Sequence, residues 1–309
     1  MTKHLIDWKF WEKQEIINLM ELAVKVKKCR WDYQGLMNGN SLAMIFQKTS
    51  TRTRISFEAC MAEMGGHSIY MDWLTSNFML SSIRLETKYI CRNVAFIVTR
   101  FKDNKDLLEM ASASEVPVIN GCCNLYHPCQ ALTDLLTIKL DCGYLEGVNL
   151  TYVGVYNNVV NSLVSICGAF KVNLTLVCPI KDASITDEES YQKLIKQGLL
   201  HETLDLQEAV AKADYVYTDT WMDMEFFNDP AFAKQKKNRV SLMEPYQLNH
   251  QTLKNSSAKV MHDMPIHLGY EISEALVEDD KRSIIFDQAE NRLEAQKALL
   301  IYLKGRKSF

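Results

Sequence analysis

Lys48-Thr49-Ser50-Thr51-Arg52-Thr53-Arg54-Ile55-Ser56-Phe57-Glu58 is the segment from which the rest of the chain can be read. Between Ser50 and Arg54 it sets three hydroxyls and two guanidinium groups side by side. An apolar-rich run, Leu42 to Phe46, precedes it. Ile55, Cys60, Met61 and Met64 follow at the three- to four-residue spacing of a helix, with Gly65-Gly66 as its stop. The hydroxyls and arginines therefore sit where a buried strand turns into a helix. Free backbone N–H groups, the positive end of the helix dipole and fork-shaped Arg donors converge there, which suits a phosphate. A Ser or Thr cap on a surface helix is the plainer reading of Ser50 or Thr51 taken singly. The glycine-rich run ending in Gly-Lys-Ser/Thr that marks an ATP-binding phosphate loop is missing. The segment reads as a hydroxyl–arginine cradle.

At 309 residues the chain is about twice the length of a typical domain, so two domains are expected. Hydrophobic residues make up 47% and charged residues 24%, enough for a sizeable core in a soluble protein. A formal charge of −3, with no basic block, gives no case for nucleic-acid binding. No apolar run reaches membrane-spanning length, and Asp7, Glu12, Glu15 and Glu21 are unlike a signal or transit peptide. The nine scattered cysteines, mostly inside apolar runs, read as core thiols of a protein in a reducing cytoplasm.

Working outward, residues 10–28 read as one amphipathic helix, buried along Ile16, Leu19, Met20 and Ala23. Strands are expected at 42–46, 68–71, 95–98 and 115–120, with helices at 55–65 and 83–92 between them. Alternating strands and helices argue for parallel α/β sheets, whose ligands bind at strand ends. Arg100 follows such a strand, and His127 and Gln130 flank Pro128 at a helix start. Cys122, Cys123, His127 and Cys129 lack the matching second pair of a closed metal site, so no metal is assigned. A composition break at 141–147 marks the domain boundary. Beyond it, strand 149–155, the turn Tyr156 to Ser162, a helix at 163–170 and strand 174–177 form a Rossmann-like unit. Gly-x-Gly-x-x-Gly is missing there, which argues against a dinucleotide. Helices follow at 186–198 and 205–212, strands end at Thr218 and near Pro265, and 289–304 is a closing helix.

Taken together, these pieces resemble the aspartate/ornithine carbamoyltransferase family, and its ornithine-type branch in particular, over nearly the whole chain. The resemblance rests on six elements in order. Phe46…Ser50-Thr51-Arg52-Thr53-Arg54…Phe57-Glu58 is similar to the carbamoyl phosphate signature, and Arg100 and His127-Pro128-Cys129-Gln130 to its two further elements. Gly154…Asn157-Asn158…Asn161-Ser162 is similar to the asparagine turn and Asp219-Thr220-Trp221 to the start of the amino-acid loop. Phe286 to Arg292 is similar to the terminal motif. The resemblance implies two parallel-sheet α/β domains with the active site in the cleft between them. Residues 1–140 would bind carbamoyl phosphate, with a closing helix, 289–309, packed back on them. Residues 145–288 would bind the amine. It also implies a homotrimer whose neighbouring subunits complete each site.

Carbamoyl phosphate needs its phosphate held, its carbonyl polarised and its leaving group stabilised. Ser50, Thr51, Arg52 and Thr53 supply phosphate donors, and Arg100 and His127 can donate to the carbonyl oxygen as it gains charge. Gln130 can accept from the carbamoyl amide, and by resemblance Arg292 faces the same ligand. Arg52, Arg100, His127, Gln130 and Arg292 form the expected catalytic set. Alignment of two held reactants supplies most of the rate, and no metal or organic cofactor is required.

On the amine side the expected residues are Asn158, Asp219, Asp223, Met224, Asp263 and Met264. Here the chain departs from the pattern. A Ser-Met-Gly continuation is replaced by Asp223-Met224-Glu225, and His-Cys-Leu-Pro reads His262-Asp263-Met264-Pro265. That puts a carboxylate where the family's cysteine approaches the amine. Asn77 to Ser82 lacks the usual pattern of the loop given to a neighbouring subunit. Ornithine is the expected acceptor. Putrescine, lysine or a modified ornithine is the alternative, because a second ammonium would favour extra carboxylates. A catalytically silent paralogue is the third reading.

Overall fold

The computed structural model describes residues 2–222, 227 and 229–305. The first half builds a four-stranded parallel sheet from β1 (Ser41–Phe46), β2 (His67–Asp72), β3 (Phe96–Arg100) and β4 (Val118–Cys122), in the order β2-β1-β3-β4. Around it lie α1 (Lys13–Lys28), α2 (Thr51–Glu63), α3 (Ile83–Ile90), α4 (Asn104–Ala113) and α5 (Pro128–Cys142). The second half builds a five-stranded parallel sheet from β5 (Asn149–Val155), β6 (Asn173–Ile180), β7 (Leu200–Glu202), β8 (Tyr215–Thr218) and β9 (Lys259–His262), in the order β7-β6-β5-β8-β9. Its helices are α6 (Asn158–Phe170), α7 (Glu188–Lys196), α8 (Leu206–Ala211), α9 (Ala233–Met243) and α10 (Glu274–Val277), before the closing helix α11 (Ile285–Lys304).

Each sheet reverses its winding once. After β1 the chain adds β2 on one side and β3 on the other, and Phe46 stands in register with Arg100. After β5 it adds β6 on one side and, later, β8 on the other. At such a switch point the loops leaving two adjacent strands diverge and leave a crevice at their carboxyl ends. The segment after β1 and Arg100 therefore share one crevice, and the turns after β5 and β8 share another.

Burial on both faces explains the unbroken apolar character of the central strands. Leu42, Ala43, Met44 and Ile45 of β1 are all buried, as are Leu150, Tyr152 and Val153 of β5. One core runs through both halves, joining Met44 and Phe57 to Leu135 of α5, Leu163 of α6 and Leu299 of α11. Polar bridges lock the halves together. His127 N–H donates to Ser162 Oγ at 2.9 Å, Asn161 Nδ2 to Leu125 O at 2.9 Å and Tyr126 Oη to Asp187 Oδ2 at 2.8 Å.

Several elements differ from expectation. The first helix starts at Lys13, because Glu15 accepts from Glu12 N–H at 3.0 Å and separates it from a short 3₁₀ turn at Trp8–Phe10. The strand expected at 115–120 runs from Val118 to Cys122, and α11 begins four residues early, at Ile285 rather than Ala289. Helices α4 and α9 have no counterpart in the sequence reading.

Helix α11 packs against α1, α2 and α5. Within that packing Lys297 is fully buried, donating to Arg30 O at 2.7 Å and Glu63 Oε2 at 3.1 Å. Removing one partner of a buried pair strands the other charge and costs about 3–5 kcal/mol. Glu63→Ala should therefore destabilise the protein by about that amount in urea unfolding. Lys297→Met should cost less, because Glu63 retains Arg30. Equal losses would contradict this division of roles.

Candidate active site

The two crevices face each other across one cavity of about 420 Å³. On the first side, α2 starts at the end of β1 through its cap. Ser50 is extended, and its Oγ accepts from Thr53 N–H at 3.3 Å. Ser50, Thr51, Arg52 and Thr53 all line the cavity, as do Lys48 and Thr49 before them. Arg100 enters from the end of β3 with its Nε buried and, among the described residues, without a hydrogen-bond acceptor. His127 caps α5, and its Nδ1 is likewise buried and without a partner among the described residues.

Arg292 reaches the same place from α11. Its guanidinium donates to Thr53 Oγ1 at 3.0 Å and to Gln130 Oε1. Gln130 itself does not line the cavity. It lies buried behind Arg292, and its Nε2 donates to Asp134 Oδ1 at 2.8 Å. Both ends of its amide are engaged in this structure, the oxygen by Arg292 and the nitrogen by Asp134.

The second side begins with the cap of α6. Asn157 Oδ1 accepts from Val159 N–H at 3.0 Å, which frees its Nδ2 to donate to Asp219 Oδ2 at 2.7 Å. Asp219 Oδ1 accepts from Thr220 N–H at 2.7 Å. Asn158 Nδ2 donates to Cys123 O at 2.6 Å, across to the first domain. Asp263 and Met264 follow β9. Asp263 Oδ1 lies 3.5 Å from Arg292 Nη1, beyond good hydrogen-bond reach. The turn is braced by His262, whose Nδ1 accepts from Met264 N–H at 2.7 Å and whose Nε2 faces Glu271 Oε1 at 3.1 Å. Asp223 and Met224 lie outside the described residues.

The sequence reading did not single out Lys48, Asn157 or Arg239 as site residues. Arg239 of α9 lines the cavity and donates to Trp221 O at 2.9 Å. In sequence it sits among Lys234, Lys236 and Lys237, which look like any solvated charge run. The cysteine group around His127 holds no metal set. Among the described residues no three His, Cys, Asp or Glu side chains gather as ligands.

Electrostatics fit an anion on the first side. Among the described lining residues, Lys48, Arg52, Arg100, Arg239 and Arg292 oppose only Asp219 and Asp263. Burial, then the charges of Arg292, Arg100 and Arg52, hold the His127 pKa well below its usual value, leaving a neutral imidazole. Burial, then Asp263, pushes Asp219 up to about 7. Burial also raises Asp263, against the pull of Arg292, His262, Arg100 and Arg52. Such an arrangement can hold a phosphate and polarise an adjoining carbonyl, with carboxylates ready for a cation beside it.

Comparison with known proteins points the same way. Residues 3–140 match the family model described as aspartate/ornithine carbamoyltransferase, carbamoyl-P binding domain, and residues 146–303 match its Asp/Orn binding domain. An ornithine carbamoyltransferase of Archaeoglobus fulgidus is 38% identical, with 99% of each chain covered. One from Bacillus cereus is 36% identical over 98% of this chain and 94% of its own. Among solved structures, ornithine carbamoyltransferase from Pyrococcus furiosus superposes with a TM-score of 0.90 at 33% identity, covering 98% of this chain and 97% of its own. The anabolic enzyme from Campylobacter jejuni gives 0.86 at 30%, covering 99% and 100%.

Arg52→Ala should abolish tight carbamoyl phosphate binding in calorimetry, and retained affinity would remove Arg52 from the cradle. For Asp219, a carboxyl whose pKa rises to about 7 on folding binds more protons folded than unfolded. It therefore lowers stability as pH climbs from the ordinary Asp range towards 7. Asp219→Asn should flatten that part of the stability–pH curve, and an unchanged slope would contradict the shift.

Proposed function

Given that the chain belongs to the aspartate/ornithine carbamoyltransferase family, we propose that it transfers the carbamoyl group of carbamoyl phosphate to the side-chain amine of ornithine, giving citrulline and phosphate. Carbamoyl transfer to an amine is the family's chemistry and is this chain's. The printed names of its relatives support ornithine as the acceptor. The observation that carries the site assignment is the meeting, in one cavity, of a cation-rich cradle with an asparagine–carboxylate wall.

In this reading Ser50, Thr51, Arg52 and Thr53 hold the phosphate at the start of α2, where backbone N–H groups lack helical partners. Arg100 and neutral His127 donate to the carbonyl oxygen, whose negative charge grows as the amine attacks. Arg292 adds a third donor and is itself aligned by Thr53 and Gln130. Residues 1–140 with the closing segment 289–309 serve the carbamoyl phosphate side, and residues 145–288 the amine side. Across the cavity, Asn158 and Asp219 recognise the amino-acid end of the acceptor, while Asp263 and Met264 line the approach of the reacting nitrogen. A distinct acceptor such as putrescine, lysine or a modified ornithine is favoured by one observation, the carboxylate of Asp263 at the cleft.

A homotrimer with shared sites belongs to the same proposal. The surface around α3 exposes the apolar side chains Leu74, Met79, Leu80, Leu85 and Tyr89, which a neighbouring subunit would cover. A reducing, cytoplasmic setting is supported by nine cysteines that all remain free thiols. Among the described residues no helix is long and apolar enough to cross a membrane.

Formation of ureido product from carbamoyl phosphate should be measured against ornithine, lysine, putrescine, acetylated and succinylated ornithine, and aspartate. Ornithine should give the highest kcat/KM. Preference for another amine would replace the acceptor and leave the carbamoyl half intact, whereas no product with any amine would support a silent paralogue.

A further inference from the structure

An attacking amine sheds a proton as it bonds to the carbamoyl carbon, and a side chain of the cleft can receive it. The described side chains can be sorted by what their lone pairs already do. His127 is buried among three guanidinium groups and stays neutral, so gaining a proton there is strongly opposed. His262 accepts from Met264 N–H at Nδ1, and its other nitrogen is turned to Glu271. Asp219 accepts a hydrogen bond at each oxygen, from Asn157 and from Thr220. Asp263 differs from all of these. Its Oδ1 is buried with no donor in hydrogen-bond reach among the described residues, and the residue lines the cavity beside Arg292.

Arg292 fixes where that oxygen lies relative to the reaction. The same guanidinium is bonded to Thr53 in the cradle helix. Asp263 therefore stands at the inner edge of the phosphate site, on the wall from which the amine arrives. We propose that Asp263 is the proton acceptor for the attacking amine. The inference rests on carbamoyl transfer at this cleft and does not depend on which amine is carried.

The neutral amine's lone pair forms the C–N bond, and the carbonyl π pair moves onto the oxygen facing Arg100 and His127. The nitrogen, now positively charged, gives a proton to the Asp263 carboxylate. The carbonyl re-forms as the C–O bond breaks, and that electron pair leaves on phosphate. The proton passes from Asp263 to the departing phosphate, giving hydrogen phosphate and restoring the carboxylate.

The groups facing Asp263 set its basicity. Arg292 of α11, Arg52 of α2, Arg100 of β3 and His262 of β9 favour its anion. Burial opposes it, as do the negative charges available at Asp219 after β8 and Asp134 of α5. Tyr152 of β5 and Tyr217 of β8 also lie within range of its charge. The balance leaves a carboxylate more basic than one in water, which suits proton acceptance near neutral pH.

The test is steady-state kinetics across neutral and alkaline pH, using the full-length enzyme and its best acceptor from the amine panel. Asp263→Asn should lower kcat by about 10²- to 10⁴-fold and remove the acid limb of the wild-type kcat profile, with little change in acceptor KM. Asp263→Glu, which keeps the carboxylate, should recover part of kcat. Carbamoyl phosphate affinity in calorimetry checks that each variant is folded. Wild-type kcat in Asp263→Asn, or a raised KM with kcat unchanged, would overturn the proposal by making Asp263 a binding contact only. A wild-type enzyme inactive with every amine would instead sink the carbamoyl-transfer reading.

Discussion

The guanidinium of Arg292 holds together the parts of the molecule that the chemistry needs. It comes from the last helix, donates to Thr53 at the first strand exit and to Gln130 on the central helix, and faces Asp263 from the second sheet. A charge buried to 3% exposure persists only with partners on several sides. The requirement runs in both directions. Arg292 needs Gln130 and Thr53 to be buried at all, and through it the cradle is fixed against the wall that carries Asp263. The packing of α11 across α1, α2 and α5 is what delivers the arginine to that point.

Sheet topology supplies the other half of the geometry. One winding reversal puts Arg100 level with Phe46, the last residue of β1. The second brings the turns after β5 and β8 together, and the bond from Asn157 to Asp219 records their meeting. The cleft is thus a place where two switch points face one another. Its unequal charge has several sources: Lys48, Arg52 and Arg100 follow or end strands of the first sheet, Arg292 comes from α11 and Arg239 from α9, while Asp219 and Asp263 follow strands of the second sheet.

Much of this was legible in the sequence, for reasons that differ by element. The cradle could be read because capping chemistry and anion binding are local, needing only a strand, a hydroxyl run and a helix in succession. The central strands could be read because burial on both faces leaves continuous apolar runs. Helix α9 could not, since only Met243 of its eleven residues is buried, so no apolar face marks it. Arg239 was lost with it. The pattern pointed to Gln130 as a ligand contact, and only the structure shows its bonds to Arg292 and Asp134. Direction of a side chain depends on tertiary partners, which spacing does not encode. Asp263 was visible as a departure from the pattern, but its unpartnered oxygen required the fold.

The unequal charge also links the two substrates. While the cradle is empty, its cations repel an ammonium, and a bound dianion reverses that field. Binding of carbamoyl phosphate and of the acceptor amine should therefore be coupled, with the same factor in each direction. Titration calorimetry of ornithine, with and without a non-reactive phosphonate analogue of carbamoyl phosphate, measures this directly. Tighter ornithine binding in the presence of the analogue is the expected result. Equal affinity in both conditions would contradict a single cleft in which the two halves meet.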